Sequence, residues 1–442
     1  MKLTARNRLF VGLTLFSMFF GAGNLIFPPY LGAQAGQSTI PAMVGFCLSA
    51  VCLPMLGVIA VAKSDGLPKL AGRVHPAFAW IFTLLIYLSI GPCLAIPRTA
   101  TTSFEIAAVP FLPEGLSYPM AQAAYSVLFF AIALLVALKP DKLTDRLGKL
   151  LGPGLLLLIL AVFVGCLLHP QGAAGTAMGD YAQGAAVTGF LEGYQTMDTI
   201  AALNFGFIIA LNVRAKGVSE QKHVVGETCL AGVLAGVVLL AVYSALAYIG
   251  VQYSAAFQGA QNGTEVLRSM VQALFGPVGS VLLALIFAIA CLNTCIGLIS
   301  CCSDYFAKIF PFWGYRVWAV FFAVISMLIS NIGLNQILAV SVPVLGAIYP
   351  IAIVLIALAF LHPLIGRFRL VYPAAILLTG IVSIVAALDG IGLAMPGLSQ
   401  LIRHLPFYAD QLGWLLPAVL GIAIGIVLSA MRPQSGWKKD VS

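Results

Sequence analysis

Long apolar runs recur along the chain from end to end, and only short polar segments separate them. An α-helix needs about 20 predominantly apolar residues to cross the roughly 30 Å hydrocarbon core of a bilayer. The pattern therefore predicts an all-α polytopic membrane protein with twelve transmembrane helices. The predicted helices lie near residues 9–32, 38–62, 77–96, 118–138, 150–168, 187–213, 226–250, 277–303, 315–330, 334–361, 371–388 and 412–431.

The order of these predicted helices fits two tandem units of five helices each. Because five is an odd number, the second unit must cross the membrane in the opposite direction to the first, as in many secondary transporters. The predicted domains are therefore a first five-helix repeat at 9–168, an inverted second five-helix repeat at 187–361, and two additional C-terminal transmembrane helices at 371–431.

The first helix of each predicted repeat contains residues that interrupt a membrane helix. In the first repeat, Gly21, Gly23 and Asn24 precede two prolines, and each glycine weakens a helix by roughly 1 kcal/mol. Interrupted helices at corresponding positions of two repeats are the best sequence indication of a transport site. The alternative is that the glycines only permit close helix packing. In the second repeat, the residues that interrupt the first helix are Gly193, Tyr194, Gln195, Thr196, Asp198 and Thr199.

An interruption of this kind predicts a site for a zwitterionic amino acid. Unwinding leaves unpaired carbonyl groups at the end of one half-helix and unpaired N–H groups at the start of the next. The carbonyl end favours a cation or an ammonium group, and the N–H end favours a carboxylate. One broken helix thus offers partners to both charges of an amino acid. Tyr194 and Gln195 are expected either to line this site or to satisfy the unwound backbone.

Two further polar positions lie inside predicted spans. Asp198 is expected to act as a cation ligand, a proton carrier or a partner of a substrate amine, because an ionisable group in the membrane is costly. The alternative is that its carboxylate caps the second half-helix and accepts N–H bonds from residues two or three further along. Asn293 and Thr294 in the eighth span offer two oxygen atoms to Na⁺, or make ordinary hydrogen bonds between helices.

The composition narrows the class of protein further. Of the 442 residues, 61% are hydrophobic and 9% are charged, whereas roughly 25% are charged in an ordinary soluble domain. The sequence contains no HExxH motif, nucleophile elbow, P-loop or dinucleotide fingerprint. The protein is therefore expected not to be an enzyme, to need no cofactor, and to use an ion gradient rather than ATP.

Lysine and arginine are distributed unevenly among the predicted loops. With the N-terminus placed in the cytoplasm, all but three of the 23 basic residues fall on the cytoplasmic side. The positive-inside rule then predicts that both termini are cytoplasmic. The net charge of +8 is attributed to this topology and not to nucleic acid binding. The basic residues expected on the outward side are Arg98, Arg268 and Arg403.

Four segments of the sequence resemble the bacterial branched-chain amino acid:cation symporter family, also called the system II carrier. This family is similar in turn to the five-plus-five inverted-repeat amino acid transporter group, in which the unwound part of the first helix binds the substrate head group. The segments lie in both predicted repeats. They are FFGAGNLIFPPYLG at 19–32, IGPCLAIPRTATTSFE at 90–105, EGYQTMDTIAALNFG at 192–206 and CLNTCIGLISCCSDYF at 291–306.

The resemblance implies a substrate site at the two breaks and a Na⁺ site between the first and eighth spans. The substrate site would comprise Phe19, Gly21, Ala22, Gly23 and Asn24 in the first break, with Tyr194, Gln195, Thr196 and Asp198 in the second. The Na⁺ site would comprise Ser17, Phe20, Ala290, Asn293 and Thr294. The related group has two adjacent hydroxyl residues where this chain has Asn293 and Thr294.

The protein is thus expected to be a Na⁺-coupled importer of leucine, isoleucine and valine in the bacterial inner membrane. It is expected to work by alternating access, with the broken helices moving against other helices of the repeats. Its expected partners are these small-molecule substrates and the lipid bilayer, without nucleic acid or an obligatory protein partner. The alternative is a proton-coupled carrier of another apolar or aromatic amino acid. A channel is disfavoured, because its pore would need polar residues along several spans.

Overall fold

The computed structural model describes residues 3–113, 115–138, 143–257 and 259–431. All regular secondary structure within these ranges is helical, as the apolar pattern predicts. The α-helices of the described ranges are, in chain order, α1 (Ala5–Phe19), α2 (Ala22–Ala35), α3 (Thr39–Cys47), α4 (Leu53–Lys63), α5 (Leu67–Gly72), α6 (Pro76–Leu88), α7 (Ala95–Ala107), α8 (Tyr118–Ala137), α9 (Leu143–Leu168), α10 (Tyr181–Glu192), α11 (Asp198–Ala215), α12 (Gln221–Ala256), α13 (Gly263–Ile309), α14 (Tyr315–Ser330), α15 (Leu334–Ile365), α16 (Val371–Gly390), α17 (Leu398–Arg403) and α18 (Leu415–Met431).

Short stretches of tighter or wider helix connect several of these elements. A π-helical stretch at Leu48–Cys52 joins α3 to α4, and another at Ser89–Cys93 lies between α6 and α7. A 3₁₀ turn at Gly36–Ser38 joins α2 to α3, and a second 3₁₀ turn at Gly193–Thr196 separates α10 from α11. Helices that follow one another in the chain are therefore joined here by short 3₁₀ or π-helical stretches and not by long loops.

Eight segments of the described residues are long and apolar enough to cross a membrane. They are Ala22–Lys63, Pro76–Phe111, Tyr118–Ala137, Asp198–Ala215, Gln221–Ala256, Gly263–Ile309, Leu334–Ile365 and Val371–Gly390. Shorter apolar helices occur at Leu156–Leu168, Tyr315–Ser330 and Leu415–Met431. The prediction of an all-helical membrane protein is confirmed. The number of twelve spans and the inverted repeats stay predictions.

The chain forms two compact units, and the larger comprises Met1–Ile59 and Leu84–Val342. Within this unit α2 packs along α12, α7 along α13, and α3 along α10. The contact between α2 and α12 brings the two backbones together, because a Cβ atom on Gly250 would lie only 2.0 Å from the carbonyl oxygen of Pro29. Small residues are the usual means by which membrane helices approach so closely.

The smaller unit comprises Ala60–Thr83 and Pro343–Ser442. In it α16 packs along α18. The Tyr372 hydroxyl donates to the Leu358 carbonyl at 2.8 Å and accepts from Arg73 Nη1 at 3.1 Å, so it ties two segments of this unit together. At the end of α16, the Asp389 carboxylate accepts from Ser399 Oγ at 2.5 Å and Tyr408 Oη at 3.0 Å. These bonds attach the following segment to α16.

The structure corrects the predicted loop at 97–117. The π-helical stretch contains Gly91 with φ −97° and ψ −125°, which is not helical, and the chain then continues as α7. A kink was thus interpreted as the end of a span. Arg98 lies in this continuation and is only 3% exposed, so the expectation that it belongs to an outward loop is wrong.

The predicted orientation rests partly on residues that the structure does not describe. Arg146 and Lys149 belong to α9, and the structure describes only their helical backbone. Both cytoplasmic termini therefore stay a prediction. The basic residues that lie outside the described ranges are Lys2, Lys139, Lys142, Arg432, Lys438 and Lys439.

Candidate functional site

The first interruption lies at Phe20 and Gly21, between α1 and α2. Phe20 has φ −74° and ψ 92°, and Gly21 has φ −124° and ψ −169°, so both residues are extended. The Phe20 N–H donates to the Phe16 carbonyl at 2.8 Å and closes the last turn of α1. The Gly21 N–H donates to Oδ1 of Asn24 at 3.1 Å. The polar side chain of Asn24 therefore holds the first break in its extended form.

The second interruption lies between α10 and α11. The 3₁₀ turn at Gly193–Thr196 ends at Met197, which has φ 63° and ψ 9°. A residue other than glycine is uncommon in this left-handed conformation. The Thr196 hydroxyl donates to the Gly193 carbonyl at 2.9 Å and accepts from the Asp198 N–H at 3.4 Å. A threonine side chain thus satisfies the backbone where the helix is interrupted.

Side-chain hydrogen bonds join the two breaks directly. Asn24 Nδ2 donates to Asp198 Oδ2 at 2.6 Å and also to the Tyr243 hydroxyl on α12. The Tyr243 hydroxyl in turn donates to Asp198 Oδ2 at 3.0 Å. All three side chains are buried. The structure therefore brings together Asn24 and Asp198, which lie 174 positions apart in the chain, around a tyrosine that sequence reasoning missed.

The position of Asp198 bears on its two proposed roles. It is the first residue of α11, where a negative charge is favoured by the helix dipole. Among the described residues, however, its carboxylate accepts no hydrogen bond from a backbone N–H of α11, and its partners are the side chains of Asn24 and Tyr243. The structure thus lacks the capping bonds that the alternative interpretation requires. The carboxylate is directed to the first break.

Arg98 is a second residue that sequence reasoning missed. Its Nη1 donates to the backbone carbonyl of Gln195 in the second break at 2.6 Å. Its Cζ atom lies 5.4 Å from the ring centroid of Phe27 on α2. A Cβ atom on Gly23 would lie 2.6 Å from Nη2, so the guanidinium packs directly on the first break as well. The signal for Arg98 was its place inside the resembling segment at 90–105.

The remaining residues predicted for the substrate site also lie in the interior. Phe19 is buried at the end of α1, and its ring centroid is 5.6 Å from that of Phe205 on α11. Tyr194 is buried, with its ring centroid 5.3 Å from that of Phe190. Gln195 is buried too, and its Oε1 atom has no hydrogen-bond partner among the described residues. Ala22, Gly23 and Thr196 are buried as well.

The residues predicted for a Na⁺ site are brought together only in part. A Cβ atom on Gly21 would lie 3.3 Å from Cγ2 of Thr294, so α13 reaches the first break. The Thr294 hydroxyl donates to the Ala290 carbonyl at 3.1 Å. Asn293 Oδ1 is buried and has no hydrogen-bond partner among the described residues. By contrast, Ser17 is exposed and Phe20 is half-buried.

The chemistry of the site follows from these groups. Buried amide oxygens are nearly always hydrogen-bonded, so the unpartnered oxygens of Gln195 and Asn293 favour a donor or a cation. The first turn of α2 offers N–H groups to an anion. Asp198 and Arg98 add one ionisable carboxyl group and one guanidinium between the breaks. The arrangement suits a small molecule that carries both charges.

Comparison with known proteins gives the chain a clear set of relatives. The family model described as "Branched-chain amino acid transport protein" matches residues 4–432. The branched-chain amino acid permease BraB of Bacillus subtilis is 39% identical and aligns with 100% of this chain and 99% of its own length. The branched-chain amino acid transport system 2 carrier protein of Pseudomonas aeruginosa is 39% identical, and the alignment covers 95% of each chain.

A likeness to solved structures concerns the fold alone. The structure described as "Inward facing conformation of Mhp1" superposes with a TM-score of 0.62 at 12% sequence identity. The superposition covers 96% of this chain and 90% of that one. The helical architecture is therefore shared with a protein that is only 12% identical in sequence.

Proposed function

The chain belongs to the family of branched-chain amino acid transport proteins, and on this premise we propose that it imports leucine, isoleucine and valine across the bacterial inner membrane. It is a transport protein and not an enzyme. The names of its relatives from Bacillus subtilis and Pseudomonas aeruginosa support branched-chain amino acids as its substrates. In this proposal both termini are cytoplasmic, twelve helices span the membrane, and the protein needs no obligatory protein partner.

The observation that carries the proposal is the junction of two broken helices through Asn24 and Asp198. Interrupted helices that meet within a transporter place backbone dipoles around a substrate. The amino acid head group would lie at Gly21 and Gly23, where the absence of side chains lets it approach the backbone. The ammonium group would then face the oxygen atoms of Gln195 and Asp198.

Sodium is the proposed coupling ion. Na⁺ prefers several hard oxygen ligands. The buried Oδ1 atom of Asn293, which has no hydrogen-bond partner among the described residues, is one such ligand and directly precedes Thr294 in the chain. The Thr294 hydroxyl and the Ala290 carbonyl supply two more oxygens, 3.1 Å apart. Carbonyl groups of Ser17 and Phe20 would complete the shell after a small movement of α1. Alternating access follows if the half-helices on either side of the breaks open the site in turn.

A direct test is uptake of radiolabelled leucine into proteoliposomes that contain the purified protein. An inward Na⁺ gradient should drive accumulation, and replacement of Na⁺ by choline at constant pH should abolish it. Unlabelled isoleucine and valine should compete for uptake. Saturable counterflow without ionic conductance separates a carrier from a channel. A folded, reconstituted protein that takes up no leucine under any gradient would contradict the proposal.

A proton-coupled carrier of another apolar or aromatic amino acid is the second candidate. The buried Asp198 carboxyl group favours it, because an ionisable side chain in the membrane interior offers a protonation site. In that case uptake should follow a pH gradient, persist in choline, and collapse with a protonophore. The same proteoliposomes separate the two candidates, since only the composition of the external buffer changes.

A further inference from the structure

A buried arginine between the two breaks has no role in the function proposed above. Arg98 is 3% exposed and lies on α7, inside a protein that spans a membrane. A charged side chain in such a place is costly and usually marks a substrate or ion pathway. The position of Arg98 therefore calls for a functional explanation.

Arg98 touches both broken helices at once. Its Nη1 atom donates to the Gln195 carbonyl at 2.6 Å. Its Nη2 atom lies where a side chain on Gly23 would begin, with 2.6 Å between Nη2 and the ideal Cβ position. Gly23 is the second residue of α2, whose first turn carries N–H groups without partners in the helix and a partial positive charge. Two positive groups thus lie side by side, an arrangement that favours an anion next to them.

Gln195 supplies an independent observation at the same place. Its backbone carbonyl is held by Arg98, and its own side-chain Oε1 is buried without a hydrogen-bond partner among the described residues. This oxygen suits a donor such as an ammonium group. The donors of Arg98 and α2 and the acceptor of Gln195 thus offer complementary partners to the two charges of an α-amino acid.

We propose that the Arg98 guanidinium recognises the α-carboxylate of the transported amino acid, together with the N–H groups at the start of α2. The proposal rests on the proposed function, since it assumes that the substrate is an amino acid. A guanidinium presents a planar fork of donors that matches both oxygens of a carboxylate, whereas a lysine ammonium is a point charge. Arg98 therefore selects ligands that carry a free carboxylate.

The test compares ligands with and without a carboxylate. Competition against radiolabelled leucine on the purified protein gives the affinities of leucine, leucinamide and 3-methylbutylamine. The parent protein should bind leucine far more tightly than either of the two analogues that lack the carboxylate. In Arg98→Gln the affinity for leucine should fall roughly tenfold to hundredfold, which is the range for a charge-assisted hydrogen bond. The affinity for leucinamide should change little, so the ratio of the two affinities should collapse.

Two further variants separate recognition from folding. Arg98→Lys keeps the charge without the planar fork, and it should give an intermediate ratio. Arg268→Gln removes a positive charge from α13 outside the breaks, and it should keep the ratio of the parent. A purely structural role of Arg98 would weaken the binding of leucine and leucinamide in parallel. Such a parallel loss, or an unchanged ratio, would overturn the proposal.

The parent protein alone keeps the proposal testable if Arg98→Gln does not fold. Equal affinities of the parent for leucine and leucinamide would exclude a carboxylate site, whatever the variants do. The proposed function fails in a different way, namely if the folded parent neither binds nor transports leucine. Leucine transport with no preference for the carboxylate would contradict the role of Arg98 and leave the proposed function standing.

Discussion

Replacing Asp198 by asparagine separates the charge of this side chain from its shape. In the native protein its Oδ2 atom accepts hydrogen bonds from Asn24 and Tyr243 at 2.6 and 3.0 Å. A hydrogen bond to a charged group contributes about 1.5–3 kcal/mol to stability, and a neutral one contributes about 0.5–1.5 kcal/mol. Loss of the charge should therefore weaken the two bonds by about 2–3 kcal/mol together.

Removal of a buried charge has a second effect of opposite sign. An ionised group in a protein interior carries a desolvation penalty of several kcal/mol, which a neutral amide largely avoids. The two effects are of similar size, so the free energy of unfolding of Asp198→Asn should stay within about 2 kcal/mol of the parent value. Gradient-driven uptake should still be lost, because an amide neither carries a proton nor supplies a negative charge to a cation.

The assay measures transport and folding on the same preparation. Proteoliposomes with Asp198→Asn should exchange leucine by counterflow but should not accumulate it against a gradient. Asp304→Asn is the matched control, because this exposed carboxylate is paired with Lys308 at 2.6 Å and lies away from the breaks. It should keep both activities. Full accumulation by Asp198→Asn would refute the functional role, and a large loss of unfolding free energy would refute the balance of the two effects.

Three other substitutions give equally sharp outcomes. Gly23→Leu should abolish leucine uptake, because its side chain would displace the Arg98 guanidinium, which lies 2.6 Å from the ideal Cβ position, whereas Gly297→Leu, where a new Cβ meets no atom within 4 Å, should not; uptake by Gly23→Leu at the parent rate would show that the head group binds elsewhere. Thr294→Ala should raise the Na⁺ concentration for half-maximal uptake, with high Na⁺ restoring leucine binding because the two ligands are linked; superimposable Na⁺ curves would refute the sodium site. Arg8→Ala should lower the thermal unfolding midpoint, because Arg8 Nε pairs at 2.7 Å with a Glu227 carboxylate that is only 4% exposed; an unchanged midpoint would show that this pair does not stabilise the fold.

The two breaks were predictable because their residues contradict the helix around them. Glycine, asparagine and aspartate are unfavourable inside an apolar span, so Gly21, Asn24 and Asp198 stand out in the sequence alone. The segments that contain these residues also indicated the transport family, and the family model and the relatives confirm this assignment. The hydrogen bond between Asn24 and Asp198 was not predictable, because no periodicity connects positions that lie so far apart in the chain.

Arg98 and Tyr243 escaped prediction for different physical reasons. Gly91 and Pro92 suggested that a span ended before Arg98, and the polar residues after it resembled a loop. In the structure this polar stretch is α7, whose polar side chains are buried except for that of Glu105. Tyr243 lies in an apolar run of α12, where a tyrosine is indistinguishable from an ordinary packing residue until its hydroxyl partners are known.

The close backbone contact between α2 and α12 limits how the larger unit can deform. Gly32 of α2 lies against the carbonyl oxygen of Ala247, and Gly250 of α12 lies against that of Pro29. A Cβ atom on either glycine would be only 2.0 Å from the oxygen, so the two helices cannot slide past each other without a steric clash. Asn24 lies on α2 and Tyr243 lies on α12. We therefore expect these two side chains to move together with the two helices as one rigid body. The helix before the break is joined to the same two helices at both of its ends, because the Gly21 N–H donates to Asn24 on α2 and Arg8 pairs with Glu227 on α12. Opening of the site at the first break therefore requires either that α1 moves together with α2 and α12 or that the ion pair between Arg8 and Glu227 breaks.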